Sequence, residues 1–141
     1  MVTLEQLVTF YEGLTLADAE RFDQFYTDDA WFKDPFNEVR GVESIQRVFR
    51  HMFKQVDEPR FKVTERVVDA SGSVMLVWEL WFRARSLGCG DHVMRGVSHL
   101  RFAADGRVNY HRDYWDASEE LYAKVPVLGA LMRLLKRVLA A

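Results

Sequence analysis

The sequence predicts an α+β protein with helices packed on one face of a curved antiparallel sheet. Three observations carry this. Apolar residues recur at helical spacing through the first third of the chain, the period switches to two from about residue 60, and a helical stripe returns after residue 125. A strongly curved sheet closed by helices forms a cone with a mouth, so a pocket is built into the shape.

The elements follow in order. Leu4, Leu7, Val8, Tyr11 and Leu14 keep i, i+3, i+4, i+7 spacing, Thr3 and Gln6 form a capping-box pair, and Gly13 marks the stop. Thr15 is a cap for a second short helix with Ala19, Phe22, Phe25 and Tyr26 on one face. Pro35 disfavours helical geometry at Asp34, so Trp31–Lys33 is expected to be extended. A third helix begins near Gly41, buries Val42, Ile45, Val48, Phe49, Met52 and Phe53, and stops before Pro59. Phe61, Val63, Glu65 and Val67 then alternate with Lys62, Thr64, Arg66 and Val68. The turn signals "DASGS", "SLGCGD" and "AADG" separate "VMLVWELWFRA", "HVMRGVSHLRF" and "RVNYHRDYWD". Together these read as four sequential antiparallel strands. The final helix carries Val127, Leu128, Leu131, Leu134, Leu135 and Val138 on one stripe, with Arg133, Lys136 and Arg137 opposite.

Bulk composition narrows the function classes. The chain has 141 residues, which suits one domain over 1–141 with 118–141 as an amphipathic helical extension. Apolar residues make up 49% and aromatics 13%, so an aromatic-rich interior or an aromatic-lined cavity is expected. A net charge of −2 argues against a nucleic-acid partner. The one cysteine, Cys89, excludes an internal disulfide, fits a reducing compartment, and reads as a loop tip between glycines. The first residues lack a basic stretch followed by an apolar core, and no apolar run approaches about 18 residues. The cytoplasm is the expected location. No histidine pair has metal-ligand spacing, and no phosphate-binding glycine loop or Gly-x-Ser-x-Gly is present. Neither a metal nor a cofactor is expected.

The chemistry-bearing stretch is "YHRDYWDA", residues 110–117. Strand alternation places His111, Asp113 and Trp115 on one face and Tyr110, Arg112, Tyr114 and Asp116 on the other. If the first row faces the helices, a carboxylate and an imidazole sit beside an indole inside the cone. Desolvation there is how a general acid or base is tuned toward neutral pH. The structural alternative has Asp113 pairing with a neighbour to hold the sheet. Asp34, in "WFKDPF", is a second candidate; it also fits a turn aspartate that accepts local amides. Glu79 is a third. It lies in the most apolar strand, sharing a face with Met75, Val77 and Trp81. A carboxylate there is either a pocket group or half of an ion pair across a dimer interface. The pocket is expected to be lined by Tyr11, Trp31, Phe36, Met52, Trp81, Met94, Ser98 and Trp115. His51, His92 and His99 are weaker candidates, His51 falling off the apolar face of its helix. The final helix is expected to cap the core with its cations solvated; attachment to a membrane surface is the alternative.

"FYTDDAWFKDPF", the following glycine, the helix carrying Ile45 and the closing "HRDYWD" resemble the SnoaL-like branch of the nuclear transport factor 2-like superfamily. The resemblance covers nearly the whole chain up to about residue 120. It implies a cone-shaped, cystatin-like α+β barrel, often dimeric through the outer sheet face. It also implies a hydrophobic small-molecule substrate or ligand. Members include ketosteroid isomerases, polyketide cyclases, limonene epoxide hydrolase and non-catalytic binding proteins. Asp34 is similar in placement to the proton-shuttling base of the isomerases, whose two oxyanion-hole donors fall on Phe10 and Ser98; of these only Ser98 can donate. Asp113 resembles one of the two water-activating carboxylates of the epoxide hydrolase. Glu79 lies near the other, and Val77 stands at the intervening arginine. In cyclases an aspartate near Asp113 and a histidine, here His111, act as acid and base. The expectation is a cofactor-independent isomerase, cyclase or epoxide hydrolase acting on a hydrophobic oxygenated molecule. The alternative is a non-catalytic ligand-binding or protein-interaction member.

Overall fold

The computed structural model describes residues 1–84, 87–88, 90–122 and 125–141. Cys89 and Lys124 lie outside the described residues. The elements run α1 (Leu4–Glu12), a 3-10 helix (Ala17–Gln24), β1 (Tyr26–Lys33), β2 (Glu38–Arg40), α2 (Val42–Gln55), β3 (Asp57–Val68), β4 (Val74–Arg83), β5 (His92–Phe102), β6 (Val108–Tyr114), α3 (Ala117–Glu120) and α4 (Pro126–Leu139). Six strands form one curved, unclosed sheet in the order β2-β1-β6-β5-β4-β3. β1 runs parallel to β6, and all other neighbours are antiparallel. The α+β expectation therefore holds, including the meander from β3 to β6.

Local chemistry sets the boundaries. Thr3 Oγ1 accepts the Gln6 amide at 3.2 Å while the Thr3 amide donates to Gln6 Oε1 at 3.0 Å, which closes the capping box of α1. Gly41 enters α2 at φ 98°, a left-handed conformation that costs a glycine little, and its amide donates to the Ala30 carbonyl at 2.8 Å. That bond ties the start of α2 to β1. The inner faces of α1, the 3-10 helix, α2 and the sheet enclose Leu7, Val8, Phe22, Tyr26, Ile45, Leu76, Leu100 and Val108, all essentially inaccessible to solvent.

Three expectations need correction. Tyr26 opens β1 instead of closing a helix, and the preceding turn segment is 3-10 helical. The short β2 was not anticipated; three residues are too few to show alternation. The apolar stripe of α4 does not cap the core, because Val127, Leu131, Leu134, Leu135 and Val138 are all exposed. Among the described residues, no helix is long and apolar enough to cross a membrane.

Candidate active site at the open end of the cone

The inward face of β6 carries His111 and Asp113, as alternation requires. His111 is 3% exposed, and the Asp113 side chain is 15% exposed at the wall of a cavity of about 350 Å³. Trp78, Leu80 and Phe82 of β4, Met94 of β5 and Phe61 of β3 form the walls of this cavity. Phe49, Met52 and Gln55 of α2 close one side, and Phe36 and Trp115 meet edge to face at the mouth.

A continuous hydrogen-bonded chain runs from the core to this wall. Tyr11 and Tyr26 share a hydrogen bond of 2.5 Å between their hydroxyls, and Tyr26 Oη lies 2.6 Å from His111 Nδ1. His111 Nε2 lies 2.5 Å from Asp113 Oδ1, which also accepts from Ser98 Oγ at 2.5 Å. Trp78 Nε1 donates to Ser98 Oγ at 2.8 Å. The polarity of this chain follows from the groups at its ends. An indole N–H can only donate, so the Ser98 hydroxyl passes its own proton toward Asp113 Oδ1. That oxygen is then an acceptor, and His111 Nε2–H donates to it. A neutral His111 accepts the Tyr26 hydroxyl at Nδ1, and Tyr26 accepts from Tyr11. Each of these residues has at least one partner in the chain, as buried polar groups require.

The two phenols are locked in their protonated form. Burial raises the pKa of Tyr11 far above its ordinary value, against a smaller lowering pull from its bond to Tyr26. Tyr26 is raised well above its ordinary value, first by burial and then by its neighbour Tyr11. Asp113 Oδ2, by contrast, has no hydrogen-bond partner among the described residues. One oxygen of this carboxylate is anchored, and the other is uncommitted beside the cavity.

Close approach of backbone makes the arrangement possible. Trp78 sits directly opposite Gly96 in the register of β4 and β5. A Cβ on Gly96 would lie 2.5 Å from the Trp78 ring, so only glycine leaves room for the indole to reach Ser98.

The predicted site residues separate into two groups. Asp113, Asp34, Phe36, Met52, Met94 and Trp115 line the main cavity, and Tyr11, Ser98 and His111 line a small inner extension that also touches Asp113. Asp34 is a turn residue as well: its Oδ1 accepts the amides of Phe36 and Asn37 at 2.8 and 2.7 Å and bonds the Asn37 side chain. Glu79, Trp81 and Trp31 belong elsewhere. Glu79 and Trp81 share the parity opposite to Trp78 and Leu80, so they project from the outer sheet face, where Trp81 Nε1 donates to Glu79 Oε2 at 3.0 Å. Lys62 and Arg95 are the cross-strand neighbours of Glu79 on that face. Trp31 stacks on Tyr110 with ring centroids 4.9 Å apart, also outside. His51, set aside for falling off the apolar face of its helix, lines the cavity. Tyr26, Trp78 and Phe61 were missed. Tyr26 has the parity of Ala30 and Phe32, but the exposed Asp28 and a register shift between Tyr26 and Trp31 interrupt the alternation, so spacing alone does not reveal it.

No three His, Cys, Asp or Glu side chains among the described residues come together in a way that could hold a metal ion.

Solved structures share this architecture at low sequence identity. A protein with a ketosteroid isomerase-like fold from Catenulispora acidiphila DSM 44928, in complex with trimethylamine, superposes with a TM-score of 0.70 at 12% identity over 84% of this chain and 88% of its own. A nuclear transport factor 2-like protein of unknown function from Exiguobacterium sp. 255-15 gives 0.67 at 18% identity over 82% and 98%. An LEH-like epoxide hydrolase of M. tuberculosis gives 0.65 at 16% over 94% and 89%. These likenesses establish the fold. No curated protein matches the chain. A SnoaL-like domain model matches residues 7–111, and the chain, with its curved sheet and its carboxylate-bearing β6 inside that span or directly after it, belongs to the SnoaL-like domain family.

Proposed function

We propose that the protein is a cofactor-independent acid–base enzyme acting on a hydrophobic, oxygenated small molecule, with Asp113 as the proton-transferring group. One observation carries this reading: among the described residues Asp113 is anchored through Oδ1, by His111 and Ser98, while Oδ2 has no partner there at an aromatic-walled cavity. A carrier needs no such group. A carboxylate whose two oxygens were both bonded would favour binding without chemistry.

In this reading Oδ2 takes a proton from carbon next to a carbonyl, or from a water that opens a strained ring, and later returns it. The two bonds to Oδ1 fix the carboxylate plane and stabilise its charge. His111 is a positioning residue that acts through Asp113, and Tyr26 holds His111 in the tautomer that donates from Nε2. Asp34 shapes the mouth through the turn at Phe36 and Asn37. Isomerisation, aldol-type cyclisation and epoxide hydrolysis all use this step.

The test is to extract the purified protein, identify co-purifying compounds by mass spectrometry, and assay turnover of these and of related ketones and epoxides. Asp113→Asn is expected to abolish turnover with an unchanged circular dichroism spectrum. Wild-type turnover in that variant overturns the assignment. A ligand that binds the wild type and returns unchanged, with no compound turned over, favours the carrier.

The outer sheet face supports a second element, a homodimer. Met75, Trp81 and Tyr114 expose large apolar surfaces there. Sedimentation equilibrium is expected to give twice the chain mass, and a monomer at micromolar concentration removes the proposal.

A further inference from the structure

Helix α4 lines none of the cavity described above. At 100° per residue, Val127, Leu131, Leu134, Leu135 and Val138 fall within an arc of about 100°. All five are exposed, Leu134 at 56% and Val138 at 72%. Gly129, buried on the side opposite the arc, and the partly buried Met132 and Leu128 next to it mark the side that faces the body. The helix is therefore placed against the protein on one side and bare on the other. The Asp116 carboxyl is held below its ordinary range chiefly by the Ser118 hydroxyl and the Glu119 amide, with Lys136 adding a smaller pull, which sets the last turn of α4 near the start of α3.

Charge identifies what can cover the bare side. The 21 residues from 121 onward carry four basic and no acidic side chains, a charge of +4. With the whole chain at −2, the first 120 residues carry −6. Arg133, Lys136 and Arg137 lie on the far side of the helix from the aliphatic arc. A second α4 packed arc to arc would cover the apolar side but leave the cations of both helices without an anionic partner. An anionic bilayer surface suits both faces: acyl chains for the arc, headgroups for the cations. Fourteen residues span about 21 Å, so the helix would lie in the interface plane.

We infer that α4 docks the protein on an anionic membrane surface, its Val127–Leu131–Leu134–Val138 arc in the acyl boundary and Arg133, Lys136 and Arg137 at the headgroups. The cavity mouth lies close to this surface. Leu121 lines the cavity, and Tyr122, four residues before α4, packs on Phe36 at the mouth. A lipophilic ligand would then enter from the bilayer. That consequence rests on the small-molecule reading, whereas docking itself does not.

The experiment is co-sedimentation of the full-length protein with vesicles of phosphatidylcholine alone or mixed with phosphatidylglycerol. It needs no substrate, so its failure is separate from failure of the enzymatic reading. Wild type is expected to pellet with the mixed vesicles and to be released as salt rises. Leu131→Glu/Leu134→Glu is expected to reduce the bound fraction about tenfold while the thermal melt stays unchanged. Lys136→Glu/Arg137→Glu keeps the arc and is expected to lose the preference for the anionic mixture. Wild type remaining in the supernatant with both vesicle types overturns the inference. So does wild-type pelleting of the Leu131→Glu/Leu134→Glu variant, or a halved solution mass in that variant, which would show the arc covered by a second copy.

Discussion

The inward sides of β4, β5 and β6 meet different company at their two ends. At the closed end of the cone, Val74, Leu76, Leu100 and Val108 pack against Leu7, Phe22, Tyr26 and Ile45 with almost no solvent exposure. A few residues along the same strands, Trp78, Leu80, Phe82 and Met94 face a cavity of about 350 Å³. The strands are equally apolar at both ends. What differs is the cover: α1, the 3-10 helix and the first half of α2 fill the closed end, while the second half of α2, from Val48 to Gln55, borders the open one. His111 stands at the join, bonded to Tyr26 on the core side and to Asp113 on the cavity side. A packed region thus holds one end of the network rigid, and an unfilled region leaves the other end accessible.

The largest expected effect lies at the open end and leaves stability almost untouched. Asp113→Asn should lower kcat by about 10²–10⁴-fold, the usual contribution of a general acid or base, with a denaturation midpoint close to wild type. A large loss of stability without loss of turnover would reverse the division of labour between the two ends.

Core truncations should split along the same line. Phe22→Ala at the closed end is expected to cost about 3–5 kcal/mol in chemical denaturation, since the surrounding rings cannot collapse into the space. Met52→Ala at the cavity wall should cost under about 1.5 kcal/mol, because its neighbours already border open volume, and should change ligand preference instead. Equal losses would mean that the cavity wall is as tightly packed as the core.

Alkaline pH probes the network from its core side. Burial raises both the Tyr11 and Tyr26 phenols above the unfolded value of about 10. Below pH about 10 both states keep these protons and stability is unaffected. Above it the unfolded chain releases them and the folded chain does not, so stability should fall by about 2.7 kcal/mol per pH unit for the two phenols together. Absorbance at 295 nm should show these two tyrosines ionising only with unfolding. Early ionisation of all five tyrosines in the chain would place the pair in solvent.

Gly96→Ala should have a smaller effect, about 1–3 kcal/mol, as the new methyl displaces the Trp78 ring. The Trp78 fluorescence should change as its bond to Ser98 is lost. An unchanged emission spectrum and midpoint would show that the indole has other room.

Much of the fold was legible because alternation and helical spacing are local properties. The β3–β6 meander, the extended Trp31–Lys33, the start of α2 at Gly41 and the shared row of His111, Asp113 and Trp115 all came from spacing. The network was only half legible. His111 and Asp113 are two residues apart, but Tyr26 reaches His111 from 85 positions away and Trp78 reaches Ser98 from 20, separations over which periodicity carries no information.

By itself the sequence determined which side chains share a face, since that depends only on the backbone of a single strand or helix. It placed Glu79 with Trp81 and Trp78 with Leu80 correctly. Only the tertiary structure decided which of those faces turns inward, because both faces of β4 are apolar and the helices choose between them by packing. The same holds for α4, whose stripe was visible as a pattern. Whether the core covers it depends on where the rest of the molecule ends, and the core is already closed by α1, the 3-10 helix and α2.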